Sequence, residues 1–323
     1  IEIEPDYETW KEYAYKKGVH ASVMTYLAAR KKDFYKIENA ADGKHFVTAR
    51  GWDDLSEMIK LYEENGLAVD EQLICQYLQD ARISKDFAIY YDLFNKYRSD
   101  YQVEKILDGT VSESIVLRAE RACMDERLSL LGLIFDSVTA QLRTVCEREN
   151  ILDLVTGQLK TLKEKLKDVS GAAALLSEMI EAEREKLERG KQSSSISPQA
   201  QRETRFMLEY LEEFRAAVMQ SGTAQKDEFS VVRESFAQKV AELKGLAADG
   251  SRVLENVFLF CEKAFADGDE ILIFVTELTA NYYSARFIGR YGCDRYYMHN
   301  KQLQFDQRQQ EIIKRMDEIQ WTV

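Results

Sequence analysis

The chain has 323 residues, 45% of them hydrophobic and 31% charged, with a net charge of −12 from 44 Lys+Arg against 56 Asp+Glu. So acidic a chain is repelled by phosphate backbones unless it carries a basic patch, and no Lys/Arg-rich run of that kind is seen, which disfavours nucleic acid as a partner. With only 2 Pro and 15 Gly, a β-sandwich or barrel lacks the turn residues it needs, and long helices are favoured.

In chain order, the spacing predicts a helix over Asp6 to Lys17, with Trp10, Tyr13, Ala14 and Lys17 on one face and Gly18 at its end. A second follows from about Ser22 to Arg30, with Val23, Tyr26 and Leu27 inward. Residues 31–50, holding Gly43 and His45, read as irregular. A third helix runs from about Trp52 to Asn65, where Asp53 and Asp54 suit its first turn. Asp70 to Gln79 forms a fourth, and Ser84 caps a fifth that continues to about Leu107. The residues up to Gly109 read as one small α-domain.

The pattern changes at Thr110: Ser112 to Val169 has no Pro and only Gly132 and Gly157, and reads as one long helix. Leu128, Leu131, Phe135, Val138, Leu142 and Val145, then Leu152, Val155, Leu159, Leu162, Leu166 and Val169, follow 3,4 spacing, a heptad seam with one slip near Glu149. A break near Asn150 or Gly157 is allowed for. Ala172 to Arg189 is a further helix, and residues 190–197 read as a flexible linker. Ser197 then caps a helix that carries Pro198 at its first position. Helices over about Ala224 to Ala247, Ser251 to Ala266, Asp269 to Arg290 and Asp294 to Gln320 complete the series. Ile271 to Val275 could form a buried strand, but the helical spacing beyond it favours helix.

Chemistry is sparse. The five cysteines, Cys75, Cys123, Cys146, Cys261 and Cys293, include no CxxC and lie mostly in apolar surroundings, which suits reduced thiols and a cytoplasmic protein. No GxxxxGK[ST] phosphate loop occurs; Gly43-Lys44 and Gly190-Lys191 lack its other residues. Leu130 to Asp136 and Ile271 to Glu277 are apolar runs ending in an acid, as in a magnesium-binding strand, but core packing explains them better. His20, His45 and His299 belong to no metal motif, so neither catalytic nor metal-ligating residues are assigned. No apolar run approaches membrane-spanning length, and no membrane partner is expected. The chain begins Ile1-Glu2-Ile3-Glu4-Pro5, without Met or signal peptide, and is expected to be a piece of a longer protein.

Three stretches form an ordered series: Asp6-Tyr7-Glu8-Thr9-Trp10, Gly18-Val19-His20-Ala21-Ser22-Val23, and Thr48-Ala49-Arg50-Gly51-Trp52-Asp53-Asp54-Leu55-Ser56. The series resembles the helical lid of MoxR-type AAA+ ATPases, with its D-x-x-x-W helix, G-[IV]-H-P-x-V step and T-P-R-x-W-[ED]-x-x-S entry. Ala21 and Ala49 replace both prolines of that pattern. The resemblance covers roughly residues 6–65. It implies that Arg50 is the second sensor, presented by the lid to the γ-phosphate, and that Trp52 anchors the lid core. An arginine fork stays charged and grips two oxygens, which suits that role. Read from the residues alone, Arg50 is a surface residue or a helix C-cap.

The expected fold is therefore all-α. A helical lid-like domain (residues 1–109) precedes an extended antiparallel bundle with coiled-coil-like long helices (residues 110–323). The resemblance implies a parent ATPase acting in ATP-driven protein remodelling. Its P-loop core lies outside this chain, and ATP and magnesium are implied for that parent and no cofactor for this part. It further implies assembly into a ring and a von Willebrand A-domain partner, with the helical arm reaching towards partner or substrate. The rival expectation is a coiled-coil scaffold or interaction protein without a nucleotide role.

Overall fold

A computed structural model describes residues 5–40, 43–166, 171–193, 195–221, 228–266 and 268–301. The chain divides into two compact units, residues 1–141 with 251–323, and residues 142–250. The expected boundary at Gly109 groups the residues differently: 110–141 and everything from Ser251 belong to the same unit as the first 109 residues.

In the first unit, α1 (Tyr7–Lys17) starts where the Asp6 side chain accepts the Thr9 N–H at 2.8 Å and closes at Gly18. His20 caps α2 (Ala21–Ala29). Residues 31–50 are not irregular as expected. After a short turn at Lys31–Asp33, β1 (Lys36–Ala40) and β2 (Gly43–Val47) form an antiparallel hairpin that sets Ile37 opposite Phe46. It is the one sheet among the described residues, so the fold remains all-α in class. Its outer edge is held by Phe46 and Gln79, which exchange backbone hydrogen bonds of 3.0 and 3.1 Å.

Thr48 caps α3 (Ala49–Glu64), which buries Trp52, Leu55, Ser56 and Ile59, a single stripe at helical spacing. Asp70 caps α4 (Glu71–Tyr77). The cap of α5 (Ala81–Asp100) is Asp80, not Ser84 as expected; Asp80 accepts from the Arg82 and Ile83 amides, while the Ser84 hydroxyl donates to the Asp80 carbonyl. A separate short helix, α6 (Val103–Leu107), follows. The core beneath these elements is aromatic: Trp52 lies 5.6 Å from Tyr26 and 5.2 Å from Phe87, ring centre to ring centre, and Trp10 lies 5.1 Å from Phe34.

The expected long helix breaks at Ala122–Cys123, between α7 (Glu113–Arg121) and α8 (Met124–Lys165), and runs unbroken through Asn150 and Gly157. One arginine bridges the break. Arg127 Nε donates to the Ala122 carbonyl at 2.9 Å, its Nη2 donates to the Glu120 carbonyl, and its Nη1 pairs with buried Glu270 at 2.7 Å. The carbonyls that α7 leaves unpaired at its end are satisfied there. Glu270 belongs to α12 (Asp269–Ala280), and Asn281 separates this helix from α13 (Tyr282–Tyr291) by accepting the Tyr283 and Ser284 amides. The expected single helix over 269–290 is thus two, and Ile271 to Val275 is helical. Residues 294–301 are also helical, and the rest of the expected last helix lies outside the described residues.

In the second unit α8 continues beside α9 (Ala172–Gln192), α10 (Pro198–Ser221) and α11 (Glu228–Phe265), around Val155, Leu162, Leu176, Ile180, Leu211, Phe214 and Val232. α11 is one helix across Asp249-Gly250, where a break was expected. The linker expected over 190–197 is shorter at its start, because α9 continues to Gln192 and Ile196 packs closely on Gly190. Ser197 caps α10 as expected, its hydroxyl accepting the Ala200 amide at 3.2 Å. Arg184 meets Glu212 while the earlier Ser177 meets the later Arg215, so α9 and α10 run antiparallel.

The 3,4 stripe is covered within the chain. Leu131, Val138, Leu142 and Val145 are buried, and Phe135 packs edge-on to Tyr15 at 5.7 Å and to Phe274 at 6.4 Å. Contrary to expectation, α8 is long and apolar enough to cross a membrane by length and composition; just over half of that window is buried inside the structure.

Candidate functional site: the first turn of the third helix

Arg50 is the second residue of α3, and 89% of its side chain is exposed. The turn that carries it is held firmly. Thr48 Oγ1 accepts the Gly51 N–H at 3.1 Å. Trp52, with no exposed surface, donates its indole N–H to the Asp33 carbonyl at 3.3 Å. Asp33 is itself buried and receives the Tyr26 hydroxyl at 3.1 Å and Arg82 Nη2 at 3.2 Å. Asp53 accepts Lys17 Nζ at 2.7 Å and the Tyr13 hydroxyl at 3.0 Å through one oxygen, which fastens α1 to the same turn.

The guanidinium itself is lightly held. Its Nε lies 3.5 Å from Asp54 Oδ2, one turn along, and both groups are largely exposed. Exposed pairs at this spacing contribute only about 0.3–0.5 kcal/mol, too little to keep the side chain from another anion. It projects from the positive end of a 16-residue helix, where an oxyanion is favoured. The site thus offers one exposed cationic fork on a hydrogen-bonded base. Trp52 sits in the core, and the Arg50 side chain lies beside Asp54 of its own helix.

The other residues singled out in the sequence are not assembled around Arg50. His20 caps α2 and reaches Glu63 Oε2 at 3.1 Å, while Glu63 also accepts the Tyr91 hydroxyl at 2.7 Å. Burial raises the Glu63 pKa, but the His20 bond and charge, with the Tyr91 hydroxyl, outweigh it and leave the carboxyl below its ordinary value. His45 lies in β2 and His299 on Glu262 at 2.9 Å. Gly43-Lys44 belongs to β2 and Gly190-Lys191 to the last turn of α9, so neither is a loop leading into a helix. Glu277, which ends one acid-terminated run, pairs with Lys11 at 2.7 Å and with the Tyr15 hydroxyl. Asp136, which ends the other, has its carboxyl pKa raised by burial. Cys75 and Cys293 are half-buried, Cys146 and Cys261 buried, and Cys123 exposed, all as free thiols. Among the described residues no group of three His, Cys, Asp or Glu side chains is placed to hold a metal ion.

Sequence reasoning did not identify Gly51. Its Cα faces the end of α4 so closely that a Cβ would lie 2.7 Å from the Tyr77 carbonyl oxygen. Nothing local in the sequence signals that contact, which forms across 26 residues. No family model, curated protein or solved structure matches this chain.

Proposed function

We propose that this chain is the lid and helical arm of a MoxR-type AAA+ ATPase, with Arg50 the residue that senses nucleotide. The observation that carries the reading is an arginine almost wholly exposed at the head of α3, two residues before a tryptophan with no exposed surface. The resembled motif requires that division of labour: one residue for the core and one for the ligand. In this reading ATP and magnesium are held by a P-loop core that precedes the lid. The transferred phosphoryl group carries spreading negative charge, and Arg50 donates to its oxygens from a helix end that adds positive potential. The remodelling role, the ring assembly and a von Willebrand A-domain partner follow the same resemblance, with the 142–250 unit as the arm that meets partner or substrate. A cytoplasmic location belongs to the same reading.

The residues fit a phosphate contact better than a binding site. One exposed guanidinium supplies too few interactions to hold ATP against the cost of association. The chain alone is therefore expected to show neither ATP-dependent thermal stabilisation nor phosphate release, and micromolar affinity for ATP would refute the assignment. In the longer protein, Arg50→Ala is expected to lower ATP turnover on the order of tenfold or more with the fold intact. Unchanged turnover would return Arg50 to a surface role. The rival, a coiled-coil scaffold without nucleotide chemistry, draws on the ion-paired exterior of α9, where Arg184, Lys186 and Lys191 each pair three residues along the helix. The coding sequence upstream of Ile1 separates the two: a Walker A motif within a domain's length supports the ATPase.

A further inference from the structure

Arg50 reaches out from a backbone whose position is set by residues that touch no ligand. Two contacts bear on the same end of α4, and a third fixes the turn that meets it. The Gly51 α-carbon abuts the Tyr77 carbonyl, so closely that a Cβ would lie 2.7 Å from its oxygen. Two residues on, Gln79 exchanges both backbone hydrogen bonds with Phe46 at the end of β2. Between Phe46 and Gly51, Thr48 Oγ1 holds the Gly51 N–H at 3.1 Å. The obstacle at Gly51 is backbone at the end of a helix, not the tip of a flexible side chain. An added methyl group therefore cannot be met by a rotamer change; the first turn of α3 has to move away from α4.

We infer that Gly51, with Thr48, is a positioning stop that sets where Arg50 stands, and that Gly51 is selected for absence of bulk rather than for backbone freedom. The inference rests on the sensor reading of Arg50 and adds to it the residues that regulate its placement. A guanidinium on a long stem corrects small errors by rotation, but a displaced helix end moves the whole cone of positions it samples. A sub-ångström error in a catalytic contact is enough to lower a rate.

The test is ATP turnover of the longer protein that joins this chain to its P-loop core, measured as kcat and KM for wild type, Arg50→Ala, Gly51→Ala and the double variant, with thermal unfolding recorded for each. The expected result is that Gly51→Ala lowers kcat by a factor approaching that of Arg50→Ala. In the Arg50→Ala background the same substitution costs nothing more, because its effect passes through the missing side chain. A purely structural role would instead lower both backgrounds equally. Full activity of Gly51→Ala, or a further loss in the double variant, overturns the inference and leaves the sensor reading standing. Full activity of Arg50→Ala removes the sensor reading and this inference with it. If Gly51→Ala does not fold, Thr48→Val takes its place: it removes the acceptor of the Gly51 N–H without adding bulk, and the same non-additivity with Arg50→Ala decides the question.

Discussion

Arg50 and Trp52 stand two residues apart and do opposite work. Removing the Arg50 side chain takes away an exposed group and one weak pair, so Arg50→Ala should leave stability within about 0.5 kcal/mol of wild type. Trp52→Ala empties a site packed by Tyr26 and Phe87, and leaves the Asp33 carbonyl without its indole donor. A loss of about 3–5 kcal/mol is expected, read as a fall in the urea midpoint with the slope unchanged. Equal stability of the two variants would contradict the placement of both residues. Asp80 gives a pH signature. Burial pushes its carboxyl up, but Lys36 Nζ at 2.8 Å and the Ile83 amide outweigh burial and hold it below the ordinary aspartate range. A depressed folded-state value means that the unfolded chain binds the proton more readily. Its contribution is complete above the ordinary carboxylate value and is lost as pH falls through the depressed one. Asp80→Asn keeps a good cap for α5 and removes that contribution, so the variant's stability should decline less steeply below about pH 4. Parallel acid limbs would show that Asp80 is not held low.

At the level of elements, what was legible followed from signals carried within one turn. Ser197 was legible as a cap, and the helices expected to start at Asp6 and Asp70 do begin there, each aspartate capping its own helix. The hairpin had no alternating apolar pattern to mark it, since Lys36, Glu38, Asn39, Lys44 and His45 make its strands largely polar. Other signals were present and outweighed. Asn281, three residues before Ser284, marked the start of α13, but the apolar spacing on both sides concealed the junction. Continuous α11 shows the reverse error: Gly250 weakens a helix by about 1 kcal/mol, and packing over 38 residues overrides it. The break before α8 was not legible, since the arginine that bridges it is paired with a residue 143 positions away. Those contacts predict the consequence of losing the arginine. Arg127→Ala strands Glu270 in the core and frees two carbonyls at the end of α7, and should cost about 3 kcal/mol or more. Lys in its place carries the charge and three donors, but on a single nitrogen that does not span acceptors bound by three separate guanidinium nitrogens, so Arg127→Lys should recover only part of the loss. In the double variant Arg127→Ala/Glu270→Gln the buried charge is gone, and chemical denaturation should place it above Arg127→Ala alone. If the double variant is the less stable, the stranded carboxylate is not the source of the loss.

For the whole molecule, the two compact units give the candidate site a defined location: Arg50 and both described tryptophans, Trp10 and Trp52, lie in the unit of residues 1–141 and 251–323, while the ion-paired helices α9 and α10 lie in the other. The sequence stripe on α8 serves both units, since Leu131 and Val138 fall in the first and Leu142 and Val145 in the second. An aspartate at position 131 replaces a buried leucine, forfeits burial of roughly 1.5–3 kcal/mol, and places a carboxylate where no partner has been provided. Leu211, in the core of residues 142–250 with no exposed surface, allows the matching substitution in the other unit. Leu131→Asp should therefore shift tryptophan emission towards that of exposed indole and lose helicity. Leu211→Asp should lose helicity at 222 nm while the emission of Trp10 and Trp52 stays native. The same two variants test whether the stripe closes within one chain, as its burial here indicates. A seam that closes internally gives a wild-type monomer in sedimentation, and Leu131→Asp then unfolds that monomer. If wild type sediments as a dimer and Leu131→Asp converts it to folded monomers with native tryptophan emission, the stripe joins two chains, and the burial of Leu131 described above is not the one that operates in solution.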